Sequence, residues 1–260
     1  MHPDWIVPDW PAPACVRAVC TTRAGGVSSG PYASLNLGDQ VGDVPAQVMA
    51  NWSVLSQSLP ARLVLLNQVH GATTVVLQPD TPDGVSADAC VAEQPGLVCT
   101  IRVADCLPVL LADCRGRRVA AAHAGWRGLL GQHRQGILES VVARFVAPSA
   151  KLPNGIAPAD VCAWLGPCIG PDAFQVGQDV LTAFVRERPE SARFFRPEAK
   201  HAWLADLPAL ARQQLKALGI NHIHGNDGSA AWCTVRQPLR FFSHRRDRIS
   251  GRMAACIGLV

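Results

Sequence analysis

The sequence predicts an α/β fold of the α+β kind, and three observations carry that prediction. Val109 to Ala112 and Val119 to Ala122 are buried-strand runs, and Cys114-Arg115-Gly116-Arg117 between them has the length and the glycine of a tight hairpin turn. Helical periodicities are interspersed with further strand-like runs, which indicates layered sheets and helices rather than a purely parallel doubly wound sheet. No G-x-G-x-x-G or G-x-x-x-x-G-K-[ST] motif occurs, so dinucleotide and P-loop folds have no support.

The elements follow in chain order. Val16 to Thr21 reads as a strand and Gln47 to Leu59 as a helix. Leu63 to Leu66, Thr73 to Leu77 and Leu97 to Val103 are strands leading into the hairpin. Trp126 to Val146 reads as one long helix, because Leu129, Leu130, Ile137, Leu138, Val141, Val142 and Phe145 recur near helical spacing. Val161 to Leu165 is a strand. Asp179 to Arg188 and Leu207 to Leu218 are helices, the second stopped by Gly219. His222-Ile223-His224 falls on a predicted strand, and Met253 to Leu259 is another. Pro148 to Pro158 is the nearest candidate for a linker but reads as a surface loop, so residues 1–260 are expected to form a single domain.

The hairpin brings chemistry together. With Arg115-Gly116 at the turn centre, residues whose numbers sum to about 231 face each other, which sets Pro108 opposite His123. Cys106 lies two residues further along the first strand, within diagonal reach of His123. His70, beside Gly71 in the connection between two strands, sits where active-site residues tend to lie. Two imidazoles and a thiolate leave the fourth tetrahedral position of a zinc ion open, as in catalytic rather than structural zinc. The same residues suit a cysteine nucleophile with a histidine base, and each taken singly suits an ordinary core position. Asp105, next to Cys106, is either a proton carrier or an orienter of its loop.

Composition narrows the classes. A chain of 260 residues that is 48% hydrophobic can bury a sizeable core. A net charge of +4 suits an anionic small substrate and is too weak to argue for nucleic acid; 6% aromatic content without aromatic–basic interleaving argues the same way. The first residues carry no basic start or apolar run, and no segment has membrane-spanning length, so a cytoplasmic protein is expected. The ten cysteines are then expected to stay reduced, and no C-x-x-C pair marks a zinc ribbon or redox centre.

Three more segments suggest function. Thr21-Thr22-Arg23-Ala24-Gly25-Gly26-Val27-Ser28 offers a guanidinium and glycine backbone to an oxyanion. Gly166-Pro167-Cys168-Ile169-Gly170-Pro171 imposes a fixed, unusual path after a strand. Phe241-Phe242-Ser243-His244-Arg245-Arg246 sets basic residues behind an aromatic anchor.

Taken in order, these segments identify a resemblance. Together with Ser34-Leu35-Asn36-Leu37-Gly38, Asn67-Gln68-Val69-His70-Gly71, Ala104-Asp105-Cys106-Leu107-Pro108, Ala122-His123-Ala124-Gly125-Trp126-Arg127-Gly128 and Ser250-Gly251-Arg252-Met253, they make the chain similar to the laccase-domain or polyphenol-oxidase family. Its members are the YfiH-like proteins, also described as purine nucleoside phosphorylases and as peptidoglycan-editing factors. The resemblance implies that His70, Cys106 and His123 hold a metal, zinc before copper. It implies a single layered α-β-β-α sandwich with mixed sheets, akin to cytotoxic-necrotising-factor-type cysteine hydrolases. It also implies phosphorolysis of adenosine, inosine, guanosine and methylthioadenosine, with adenosine deamination as a side activity. Arg23, Asn36, Arg245 and Arg246 are the candidate substrate and phosphate contacts, and a monomer or weak homodimer is expected. Two positions depart from the family pattern: Gln175 stands where a glutamate is usual, and Trp52 follows Asn51 where an arginine is usual.

Two other activities compete with this one. A cysteine hydrolase that edits peptidoglycan precursors would use the same residues. A copper polyphenol oxidase would need several H-x-H pairs, and only His222-Ile223-His224 is present. The H-x-E and P-C-x-x-C signature of cytidine-type deaminases is absent, so any deamination uses another layout.

Overall fold

A computed structural model describes residues 1–59 and 61–260. Two mixed sheets dominate it. One has six strands, in the spatial order His222–Gly225, Val161–Leu165, Leu107–Asp113, Val119–Ala124, Ala89–Ala92 and Thr74–Val76. The other has five, in the order Val16–Cys20, Met253–Leu259, Leu97–Val103, Arg62–Asn67 and Val85–Ser86. A small antiparallel sheet is formed by Gln175–Gly177, Ala202–Ala205 and Phe195–Ala199.

Side chains alternate across a strand, so their packing partners reveal what covers each face. Leu107, Val109 and Leu111 pack with Val141 and Phe145 of the helix Ile137–Val146, and share that core with Phe184 and Leu210 of the helices Gln178–Glu187 and Leu207–Ala217. Leu110 and Ala112 turn the other way and pack with Ile101, Val103, Ala255 and Ile257 of the five-stranded sheet. On the far face of that sheet, Val98, Ala254 and Cys256 meet Leu55 of the helix Pro45–Ser56. The layers therefore run helices, sheet, sheet, helix. Leu107–Asp113 is buried along its whole length, which explains its unbroken apolar run in the sequence.

The hairpin has the register that the sequence predicts, with Pro108 opposite His123. Asp113 fixes its turn, accepting from Arg117 Nε at 2.6 Å and Nη2 at 3.0 Å. Gly116 completes it at φ 67°, a backbone conformation that favours glycine.

Other expectations need correction. Trp126 to Val146 is not one helix but two, Trp126–Leu130 and Ile137–Val146. Gly131 breaks it at φ 60°, where a Cβ would sit 2.3 Å from the carbonyl oxygen of Gln135. The apolar period carries across the break because both pieces pack into the same core, which hid the interruption. The early helix starts at Pro45, whose fixed φ suits a first turn, and ends at Ser56 rather than Leu59. Ala89–Ala92 was missed because Ala-Cys-Val-Ala has little strand-forming character, although all four residues are buried. Val85–Ser86, Gln175–Gly177, Phe195–Ala199 and Ala202–Ala205 were also missed; they are short or partly polar.

The chain passes from the five-stranded to the six-stranded sheet at three connections. These lie between Asn67 and Thr74, between Ser86 and Ala89, and between Val103 and Leu107. They carry His70, Asp88 and the pair Asp105–Cys106. Among the described residues, no helix is long and apolar enough to cross a membrane.

Candidate active site

The three crossings converge on His123. The ligand atoms of His70, Cys106 and His123 all lie within 4.8 Å of one another. The two imidazole rings meet edge to face, with centroids 4.7 Å apart and planes at 73°. His123 is buried, Cys106 half-buried and His70 exposed, so the cluster forms the floor of an open site. His70 and Asp105 adopt positive φ of 60° and 88°, an uncommon conformation that the tight crossings impose.

Asp88 holds the cluster together, and sequence reasoning missed it. Its carboxylate is fully buried. Oδ1 lies 2.8 Å from His123 Nδ1 and accepts from the backbone N–H of His70 at 3.0 Å. Oδ2 accepts from the N–H groups of Gly71 at 2.7 Å and Val69 at 3.2 Å. One side chain thus fixes the ring orientation of His123 and the loop that presents His70, leaving His123 Nε2 for the cluster. Burial pushes the Asp88 carboxyl up, but the His123 bond and the Gly71 and Val69 amides outweigh it and hold it below its usual range. The available signal was a lone acidic residue between Ala87 and Ala89-Cys90-Val91.

Electrostatics make Cys106 and His123 a pair. Burial pushes the Cys106 thiol up, yet the His123 charge and hydrogen bonds from both histidines bring it down to about 6. Burial works against charge on His123, and the Cys106 thiolate and Asp88 raise it to about 9. Two imidazoles and a thiolate at this spacing suit zinc, whose ~2.0–2.3 Å bonds put tetrahedral ligands roughly 3.4–3.8 Å apart. Gly125 keeps the centre open, because a Cβ there would lie 2.9 Å from Cys106 Sγ and 3.3 Å from His70 Cδ2. The residues present therefore fit a metal.

Above the cluster lies a cavity of about 570 Å³. The residues that line it include Trp126, Phe174, Arg102, Arg127, Arg245, Arg248 and Arg252. Of the arginines singled out in the sequence, Arg245 lines this cavity; its Nη1 donates to the Gln175 carbonyl at 3.0 Å, so the position that departs from the family pattern contributes backbone rather than a carboxylate. Arg23 lies outside the cavity lining, donating to the carbonyls of Ala33 and Pro238 and stacking on Phe242. Arg246 is paired with Asp247 and donates to the carbonyls of Thr234 and Phe241. Asn36 is buried beneath the wall. Asn51 is buried too, donating to the carbonyl of Asn36 at 2.9 Å and so bracing the same segment.

Asp105 lines the cavity with both oxygens engaged. Thr234 Oγ1 donates to one at 2.6 Å, and the Arg245 N–H donates to the other at 2.7 Å. The Gly/Pro turn after Val161–Leu165 backs this loop, with Ile169 N donating to the Asp105 carbonyl at 2.9 Å. His222 and His224 lie on an edge strand of the six-stranded sheet and are not part of the cluster.

The chain is similar to known proteins along nearly its whole length. The family described as multi-copper polyphenol oxidoreductase laccase matches residues 17–260. A purine nucleoside phosphorylase of Pseudomonas aeruginosa is 44% identical over 256 residues, covering 98% of each chain. The purine nucleoside phosphorylase YfiH of Escherichia coli is 44% identical over 258 residues with the same coverage. Among solved structures, a Neisseria meningitidis protein superposes with a TM-score of 0.89 at 43% identity, covering 98% of this chain and 99% of that one. YlmD from Geobacillus stearothermophilus gives 0.83 at 34% identity, with 95% and 92% covered.

Proposed function

The chain belongs to the family described as multi-copper polyphenol oxidoreductase laccase, and from that membership we propose that it is a zinc-dependent purine nucleoside phosphorylase. The observation that carries this reading is the shared cavity, which an open two-imidazole, one-thiolate cluster lines together with several arginines. The names of its relatives point the same way. We take adenosine, inosine, guanosine and methylthioadenosine as substrates, with adenosine deamination as a side activity.

In phosphorolysis an oxygen of phosphate forms a bond to ribose C1′ as the C1′–N9 bond breaks. The bonding pair leaves on the purine, which takes up the proton of the phosphate. Zinc held by His70, Cys106 and His123 would supply a Lewis acid toward the atom that gains negative charge. Trp126 and Phe174 offer apolar faces to the base. The Arg245 guanidinium, anchored on Gln175, supplies positive charge toward phosphate. Asp105 holds the Thr234 and Arg245 segments against the cluster, which is a positioning role. Among the described residues one such cluster forms, whereas a multicopper oxidase needs several copper sites; zinc is therefore placed ahead of copper.

A second reading has its own support. The lowered Cys106 thiol, His123 beside it and Asp88 behind His123 form a nucleophile–base–orienter series. That is the arrangement of a cysteine hydrolase, akin to the cytotoxic-necrotising-factor type, and would serve peptidoglycan-precursor editing. Metal analysis of protein purified without added metal, with inosine turnover in phosphate buffer, separates the two. About one zinc per chain and release of hypoxanthine with ribose 1-phosphate support the phosphorylase. Negligible metal in active protein, or free ribose formed at a rate indifferent to phosphate, would overturn it.

A further inference from the structure

Two sequence motifs without a role in the mechanism above meet at one side chain. Ser34-Leu35-Asn36-Leu37-Gly38 and Ser250-Gly251-Arg252-Met253 are more than two hundred residues apart, and together they build the setting of Arg252. Asn36 Oδ1 accepts from the backbone N–H of Gly38 at 2.8 Å and of Arg252 at 2.9 Å. Asn36 Nδ2 donates to the Gly38 carbonyl at 3.2 Å and to Asp43 at 2.9 Å, and Leu37 N donates to the Arg252 carbonyl at 3.0 Å. Gly38 leaves room for the arginine stem, because a Cβ there would lie 2.8 Å from Arg252 Cγ.

The guanidinium is held on one side only. Nη1 donates to the Ser250 carbonyl at 2.8 Å and to the Gly251 carbonyl at 3.0 Å. Nε and Nη2 have no acceptor among the described residues, and no carboxylate there is paired with Arg252, although the residue lines the cavity above Cys106. Its neighbours differ. Arg102 is paired with Asp39, and Arg127, Arg245 and Arg248 are exposed, so among the described residues Arg252 is the half-buried arginine of the cavity that has no carboxylate partner. Burial weighs against charge on Arg252, while Asp105 and Cys106 favour it. A planar, permanently charged fork with two free donors in a partly dry wall is suited to an oxyanion.

We propose that Arg252, seated on Gly38 and braced by Asn36, is the phosphate-anchoring residue of the site. This rests on the phosphorylase reading and adds to it the side chain that binds the inorganic co-substrate. Asn36 then serves phosphate through Arg252 rather than by touching it.

Arg252→Lys and Gly38→Ala test this in zinc-loaded protein. The first keeps the charge and loses the fork; the second keeps the arginine and pushes on its stem, so each covers for misfolding of the other. Inorganic phosphate is titrated by calorimetry, and KM is measured separately for phosphate and inosine. Phosphate affinity should fall and KM for phosphate rise by roughly tenfold or more in both variants. Zinc content should hold, and KM for inosine should stay within about twofold. Arg23→Lys, outside the cavity, should keep the wild-type KM for phosphate. Unchanged phosphate affinity in both variants, or equal rises in the two KM values, would overturn the assignment. Wild-type turnover indifferent to phosphate would instead count against the phosphorylase reading, and calorimetry would still report on Arg252.

Discussion

Replacing Asp88 by asparagine removes one buried charge and leaves the shape nearly unchanged. The carboxylate receives two donors on each oxygen: His123 Nδ1 and the His70 N–H on one, the Gly71 and Val69 N–H groups on the other. An amide has a single acceptor oxygen, so either orientation turns its NH₂ toward two donors. Two bonds to a charged acceptor are lost, at ~1.5–3 kcal/mol each, or roughly 3–6 kcal/mol. For a chain of this size ~2–4 °C accompanies each kcal/mol, so Tm should drop by roughly 6–24 °C. With the NH₂ toward His123, Nδ1 must accept and the proton moves to Nε2, the nitrogen needed by the metal. Loss of such an outer-shell carboxylate typically weakens metal binding about 10–100-fold. Thermal denaturation and a zinc competition titration against a chelator read the two effects independently. Zinc affinity within about threefold of wild type would refute the assignment of Asp88 as the orienter of His123. A Tm within about 2 °C would refute its hydrogen-bond accounting.

Three further outcomes are expected. Cys106 should react slowly with iodoacetamide until zinc is removed, and Cys106→Ala should lose both metal and nucleoside turnover; fast alkylation of the untreated protein, with activity indifferent to chelation, favours the cysteine hydrolase. With Cys106 brought down to about 6 and His123 raised to about 9, zinc loading between those values should release about one proton from the pair, that of His123. Release should rise toward two as pH falls through the Cys106 value and vanish as pH climbs past the His123 value; a pH-independent count in buffers of differing ionisation enthalpy contradicts this. Asp105→Asn should keep zinc and lower turnover, because one of the bonds to Thr234 and Arg245 fails; wild-type turnover would remove Asp105 from the positioning scheme.

The hairpin shows how far local pattern reaches. Its two apolar runs and glycine turn set the Pro108–His123 register and hence the nearness of Cys106 to His123, because antiparallel register follows from turn length. Strands with strong apolar runs, such as Leu97–Val103, Val161–Leu165 and Met253–Leu259, were legible to the residue. Ala89–Ala92 was not, since its burial comes from neighbouring layers rather than from its own side chains. The break at Gly131 was likewise masked by an apolar period continuing through it.

The sequence by itself determined the type of chemistry: two histidines and a cysteine in recognisable motifs, an α/β class, and a basic surplus suited to an anion. Only the tertiary structure decided which residues come together around them. Asp88 reaches His123 across 35 positions, and Asn36 reaches Arg252 across 216. Such pairs are made by the crossings between sheets and by packing between layers, for which no local period exists. The same physics kept Arg23 and Arg246 out of the cavity lining: folding brought carbonyls and a carboxylate to them, whereas among the described residues Arg252 has no carboxylate partner.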